Sequence, residues 1–220
     1  MTSPPADPVL ARIADLRPTQ ITVGFREVAK KRLRLRAWIR RAGEGRAPKL
    51  VAPVVLAPEG ALYLVDRHHL ARAMKEEGVE QVQVRHVADF RALDSAHFWP
   101  ALEARGWCRP YDAEGCRRPF SDIPPTLDAL RDDPFRSLAS ALRRAGGFTK
   151  RAAPFSEFAW ADFLRQGIPS DTVSIDFDGA LARAMVLAGT PAAQHLPGWR
   201  VDTDAGPRAS VAIVSPHVGQ

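Results

Sequence analysis

The fold is decided by Tyr63-Leu64-Val65-Asp66-Arg67-His68-His69-Leu70-Ala71-Arg72-Ala73-Met74. An apolar run ends at Val65 and a helical pattern begins within about two residues, so a strand turns directly into a helix. Backbone N–H groups at such a start point outward without partners, and the helix dipole adds partial positive charge. Asp66 is placed to cap the start, His68 and His69 add imidazole donors, and Arg67 and Arg72 add full charge. The arrangement suits a phosphate or another oxyanion. Equally, Asp66 is only a cap and one histidine is a buried structural donor. Adjacent side chains on a helix diverge by about 100°, so the two histidines make a poor metal pair. Cys108 and Cys116 show no ligand spacing to them, and no metal site is expected.

Working outward, Val51–Leu56 and Ala61–Val65 flank the turn Ala57-Pro58-Glu59-Gly60 and read as a hairpin. The helix from His68 closes at Gly78, and Gln81–Val87 alternates as a further strand. Upstream, Val9–Leu16 reads as one strand broken by Pro18. Phe25–Ala42 reads as an amphipathic helix ended by Gly43, with Phe25, Val28, Leu35, Trp38 and Ile39 inward and Arg34, Arg40 and Arg41 outward. Residues 9–90 thus form a small α+β unit with a mixed sheet.

Residues 91–200 read as a helical extension packed on that unit. Helices are expected from Asp94 to about Arg105, over Thr126–Arg131, from Pro134 to Ala145, from Ser156 to Arg165 and over Asp178–Ala188, with a loop between Trp107 and Pro125. Residues 1–8 and 207–220 read as flexible ends.

The composition narrows the function classes. The chain has 220 residues, 45% hydrophobic and 25% charged, which excludes wholesale disorder. No apolar run approaches the roughly 18 residues of a membrane span, and the first residues lack the pattern of a signal peptide. Two cysteines cannot build a disulfide framework. The expectation is a cytoplasmic protein with reduced thiols.

The net charge is +6, but residues 26–49 alone carry ten Lys/Arg against two acids, so that segment is +8 and the rest is −2. Such a patch attracts phosphates, free or in nucleic acid, or is a solvated helix face.

Three further clusters carry candidate chemistry. Gln20, Gly24, Glu27 and Lys30 lie around a helix start, where a carboxylate beside a lysine is a general base or a surface ion pair. Asp133 can cap the helix that Pro134 opens. Arg136 in its first turn opposes the dipole and needs a partner, either Asp133 or a ligand anion. Lys150 precedes Pro154-Phe155-Ser156-Glu157-Phe158, where the aromatics read as core and Glu157 and Asp162 as capping or solvated. No P-loop, Gly-x-Gly-x-x-Gly or Gly-x-Ser-x-Gly motif is present.

The order of these pieces resembles the ParB/sulfiredoxin superfamily, most closely the stand-alone ParB-like nuclease branch. The matching pieces are Leu16-Arg17-Pro18-Thr19-Gln20, Val23-Gly24 with Glu27-Val28 and Lys30, Pro53-Val54-Val55-Leu56, Asp66-Arg67-His68-His69, Asp133-Pro134-Phe135-Arg136-Ser137-Leu138 and Pro154-Phe155-Ser156-Glu157-Phe158.

The resemblance implies a strand-to-helix turn that binds nucleotide phosphates. Related free serine kinases are similar at this turn, reading Asp-Gly-His-His, and use a glutamate near the N-terminus as base. Arg67 replaces their glycine. Arg67 also stands where sulfiredoxins carry a catalytic cysteine, which argues against that chemistry.

By this resemblance Asp66, Arg67, His68, His69, Arg72 and Lys30 would bind phosphate. Glu27, with His68 and His69, would be catalytic, and Gln20, Asp133, Arg136 and Lys150 would support. ATP or another nucleoside triphosphate with Mg²⁺ would be the companion. The leading expectation is a phosphotransferase. The alternatives are a nuclease gripping nucleic acid through the 26–49 segment, and a non-catalytic nucleotide-gated DNA-binding module.

Overall fold

In a computed structural model, which describes residues 7–42, 51–149 and 156–199, the chain opens with strand β1 (Val9–Arg12). A 3₁₀ turn at Ile13–Asp15 leads into β2 (Leu16–Arg17). β3 (Thr22–Val23), helix α1 (Phe25–Ala42), β4 (Val51–Leu56), β5 (Leu62–Leu64), α2 (His68–Glu76) and β6 (Gln81–Asp89) complete the first half. Then come α3 (Ser95–Ala104), β7 (Arg131–Asp132), α4 (Pro134–Arg144), α5 (Ser156–Gly167), α6 (Ser170–Ile175) and α7 (Phe177–Ala188). The class is α+β with a mixed sheet and a helical second half.

Five strands form one sheet in the order β1-β6-β4-β5-β2. β1 runs antiparallel to β6, β4 parallel to β6, β5 antiparallel to β4 and β2 parallel to β5. The expected single strand Val9–Leu16 is therefore corrected: its two ends lie on opposite edges. Four residue steps from Arg12 to Leu16 reach about 14 Å, whereas five flat strands span roughly 19 Å edge to edge. The sheet must curl for Ile13–Asp15 to bridge its edges.

Side-chain alternation gives the sheet two buried faces. Val54 and Leu64 pack with Val28, Leu35, Ala71 and Met74 of α1 and α2. Their neighbours Val55 and Tyr63 pack on the other face with Phe90 and with Phe98 and Leu102 of α3. A third core joins α4, α5 and α7 through Phe135, Leu138, Trp160, Leu164 and Ala184.

Two further expectations are revised. Thr126–Arg131 is not a helix but a 3₁₀ turn at Leu127–Ala129 followed by β7, which pairs in parallel with β3. Two-residue strands are too short to show alternation in sequence. Phe25 is 40% exposed rather than part of the inward stripe, while Val28 and Leu35 are buried and Trp38 and Ile39 pack at the core's edge. Gly43, Arg46, Lys49, Lys150, residues 1–6 and the 207–220 tail lie outside the described residues.

Candidate functional site

The strand-to-helix turn forms where expected, with α2 beginning at His68, but its chemistry differs from the expectation. Arg67 is the N-cap and adopts φ 68°, ψ 23°, the left-handed region that L side chains rarely occupy. The Arg67 side chain makes no capping hydrogen bond. Asp66 sits one residue too early and accepts the Arg67 N–H at 2.6 Å instead.

Both histidines are buried, and both act as acceptors. The Thr19 N–H donates to His68 Nε2 at 3.1 Å, and the Gly24 N–H donates to His69 Nε2 at 2.9 Å. Burial, reinforced by the nearby Arg136 charge, pushes the His68 pKa down to about 3. Burial, then Arg136 and Lys31, holds His69 well below its ordinary value. Each ring is thus neutral, with its proton on Nδ1. Neither Nε2 can therefore donate to an anion, and neither ring carries charge. They fasten residues 19–24 onto α2.

Gly24 makes that fastening possible. A Cβ there would meet Ser137 Oγ at 2.4 Å and the Ser137 nitrogen at 2.6 Å, so only glycine lets the start of α1 press against α4. Asp132 accepts the Phe25 N–H at 2.6 Å, and burial raises its pKa.

Against this turn lies a cleft of about 780 Å³. Its cationic groups are Lys31, Arg67, Arg136 and Arg143, and its acids are Glu27, Asp66 and Glu157. Pro53, Val65, Val87 and Trp107 contribute an apolar stretch, and the two imidazoles and Gln20 line it as well. The Gln20 amide N–H donates to the Thr22 carbonyl at 2.7 Å.

Glu27 shares the cleft with the histidines, as the kinase-like arrangement requires. Its partner, however, is not Lys30, which is exposed. Glu27 pairs with Lys31 at 3.3 Å and with Arg144 at 2.5 Å. Position i+4 follows the inner face of α1, whereas i+3 has turned outward. Arg72 is likewise diverted. It pairs with Glu76 at 2.5 Å and donates to the carbonyls of Leu127 and Asp128 at 2.9 and 2.8 Å, tying α2 to the second half.

Arg136 is the singular group. It is 4% exposed, stacks on Phe158 at 3.2 Å, and its Nε and Nη1 find no hydrogen-bond partner among the described residues. Desolvation lowers its pKa to about 10, against the attraction of Glu157 and Asp133. Asp133 was one expected partner, but its oxygens are committed. One accepts the Phe135 N–H at 2.9 Å and the other pairs with Arg165 at 2.8 Å. Burial raises the Asp133 pKa all the same.

Sequence reasoning missed Lys31, Ser140, Arg143 and Trp107, and read Glu157 as capping or solvated. Glu157 pairs with Arg143 at 2.9 Å and accepts the Ser140 hydroxyl at 3.1 Å. The i, i+4, i+7 spacing of Arg136, Ser140 and Arg143 was the one available signal, a polar row along one side of the helix. Asp162 pairs with Arg109 and Arg165. Among the described residues no group of three His, Cys, Asp or Glu converges to hold a metal. None of their helices is long and apolar enough to cross a membrane.

The sequence model of the family described as "Putative ParB-like nuclease" matches residues 9–166. The crystal structure of protein Atu1540 from Agrobacterium tumefaciens is 49% identical, with 90% of this chain and 98% of that one covered and a TM-score of 0.83. The C-terminally truncated chromosome-partitioning protein ParB from Caulobacter crescentus, complexed with CTP-gamma-S, is 17% identical over 85% of this chain and 94% of that one. Its TM-score of 0.30 is too low to carry an argument about this chain. No curated protein matches.

Proposed function

The chain belongs to the ParB-like nuclease family, and on that footing we propose that its cleft binds the terminal phosphate of a nucleoside triphosphate and transfers it to an acceptor hydroxyl. The observation that carries this reading is Arg136. A buried guanidinium with two unpartnered nitrogens costs the fold several kcal/mol, which an incoming oxyanion offsets by completing the hydrogen bonds. Lys31 and Arg143 stand in the same cleft to share the charge. Its volume suits a mononucleotide-sized ligand, and Pro53, Val65, Val87 and Trp107 suit an apolar heterocycle.

The depth of Arg136 favours phosphotransfer over the nuclease alternative. An internal phosphodiester carries chain on both sides and cannot reach a group 4% exposed, whereas a terminal phosphate can. In the step, the acceptor oxygen attacks the terminal phosphorus, the bond to the nucleoside diphosphate breaks, and Glu27 takes the hydroxyl proton once one of its ion pairs opens. Asp66 is the carboxylate of the cleft without an ion pair among the described residues. Asp66 would hold a Mg²⁺ brought in with the polyphosphate, and the ion would supply charge neutralisation there.

The test is calorimetric titration of the protein with ATP, CTP, GTP and ADP in Mg²⁺. One triphosphate should bind, and Arg136→Met should lose it by at least tenfold. Apolar replacement of a buried guanidinium whose Nε and Nη1 lack partners among the described residues should leave the variant as stable as the wild type or more so. Glu27→Gln should keep binding and lose turnover. Unchanged affinity in Arg136→Met would overturn the reading.

A further inference from the structure

Strand β6 is nine residues long, but β1 pairs with only its first four, Gln81 to Val84. On that side the backbone of residues 85–89 has no strand partner among the described residues, and no turn or loop backbone bonds to it. The described part of the chain stops short of filling the place. β1 begins at Val9, and Asp7 and Pro8 before it are exposed and outside any strand. Pro8 has no N–H to give to a ladder. The result is a notch in the sheet edge, five residues or roughly 17 Å long.

The notch opens beside the cleft. The register between β4 and β6 jumps from Val54 opposite His86 to Val55 opposite Ala88, so Val87 is a bulged residue with nothing opposite it. Val87 and Ala88 both pack toward the core of Phe90 and Phe98, and Val87 also lines the cleft. Exposed arginines stand at the ends of the notch. Arg85 lies in the edge itself, and Arg105 holds its guanidinium 5.0 Å from the ring of Phe90, the residue that follows the edge. A third, Arg67, lines the cleft with Val87. The acids Asp89 and Glu103 are taken by Arg91 and Arg117, at 2.6 and 3.0 Å, so none of the three arginines has an acid partner among the described residues. Asp66 alone opposes them.

We propose that this notch is a docking site for an extended acidic segment of another protein, which adds to β6 as a further strand. Main-chain hydrogen bonds to the open edge supply the affinity, and carboxylates on alternate residues meet the arginines. A second copy of this chain is the poorer occupant. The edge it offers, Arg85-His86-Val87-Ala88-Asp89, brings cations to cations, and its acid is already paired with Arg91. The inference does not rest on phosphate transfer. It uses the backbone of β6 and three arginines, none of which holds the phosphate or moves the proton in that reading.

The experiment is fluorescence polarisation with a labelled seven-residue peptide in which glutamate alternates with valine, in 50 mM KCl without nucleotide. It should bind, and the counterpart with lysine in place of glutamate should not. Two further peptides carry backbone N-methyl groups, on the glutamates in one and on the valines in the other. A strand added to one edge uses every second N–H, so one methylated peptide should lose at least tenfold and the other should bind as before. Attraction by charge alone would treat both alike. The variant Arg85→Gln/Arg105→Gln should bind the unmodified peptide at least fivefold more weakly, with its circular dichroism unchanged because both side chains are exposed. Sedimentation velocity runs in parallel. No binding of the acidic peptide, equal binding of the lysine peptide, equal loss with both methylated peptides, full affinity in the folded variant, or a dimer that ignores the peptide would each overturn the proposal. None of these outcomes bears on Arg136→Met and the triphosphate, so the two readings fail separately.

Discussion

Acidification should loosen the fold through His68 and His69. Their unfolded pKa is 6.5, and in the folded chain burial pushes His68 to about 3 and His69 well below the ordinary value. Above pH 7.5 both states are neutral and the two rings cost nothing. As pH falls below 6.5 the unfolded chain takes up two protons that the folded chain refuses, so stability is lost with falling pH. At pH 5.0 a histidine of pKa 6.5 is nearly all protonated when unfolded. The loss is then about 2 kcal/mol for His68, with a similar amount for His69 while it stays neutral. Against a stability of about 5–15 kcal/mol, a combined loss near 4 kcal/mol is large. Urea unfolding at pH 8.0 and pH 5.0, followed by circular dichroism, should show it. The double variant His68→Gln/His69→Gln keeps an oxygen acceptor near each Nε2 but cannot titrate. Asp132 and Asp133, whose raised pKa values work in the opposite direction, are common to both proteins and cancel in the difference. The wild type should therefore lose roughly 4 kcal/mol more than the variant. Identical pH dependence in the two would refute the neutral, accepting imidazoles.

Arg67→Gly should stabilise the fold by about 0.5–1 kcal/mol, since relief of left-handed strain outweighs the added freedom of the unfolded chain; an unchanged or lower urea midpoint would count against strain at this residue. Gly24→Ala should cost about 2 kcal/mol or more, as its methyl group would sit 2.4 Å from Ser137 Oγ, and hydrogen exchange at residues 19–24 should accelerate. Of the two thiols, exposed Cys116 should react with an aromatic disulfide reagent within minutes at pH 8, while Cys108, whose pKa burial pushes up to about 12, should react only on unfolding. Two equally fast thiols would show that the core around Phe98 and Leu102 is open.

Much of this protein was legible in its order of residues. The 3.6-residue periodicity and the caps placed α1, α2, α4 and α5 to within a residue or two, because those signals are local. The Pro-Glu-Gly turn placed the hairpin, and Arg136 against a helix dipole already called for a partner, Asp133 or a ligand anion. What sequence could not decide was pairing at a distance. Glu27 meets Arg144, which is 117 residues away, and Asp133 turns to Arg165 rather than to its neighbour Arg136. Val9–Leu16 splits because the sheet curls, a property of five strands together. β3 and β7 are two residues each and exist only because they meet. The histidines show the limit most plainly. Their adjacency reads as a pair of imidazole donors for a phosphate, yet burial keeps both rings neutral and the backbone of residues 19–24 takes the Nε2 of each. Only the tertiary structure sets which groups lose water, and desolvation decides what a histidine or an arginine can do.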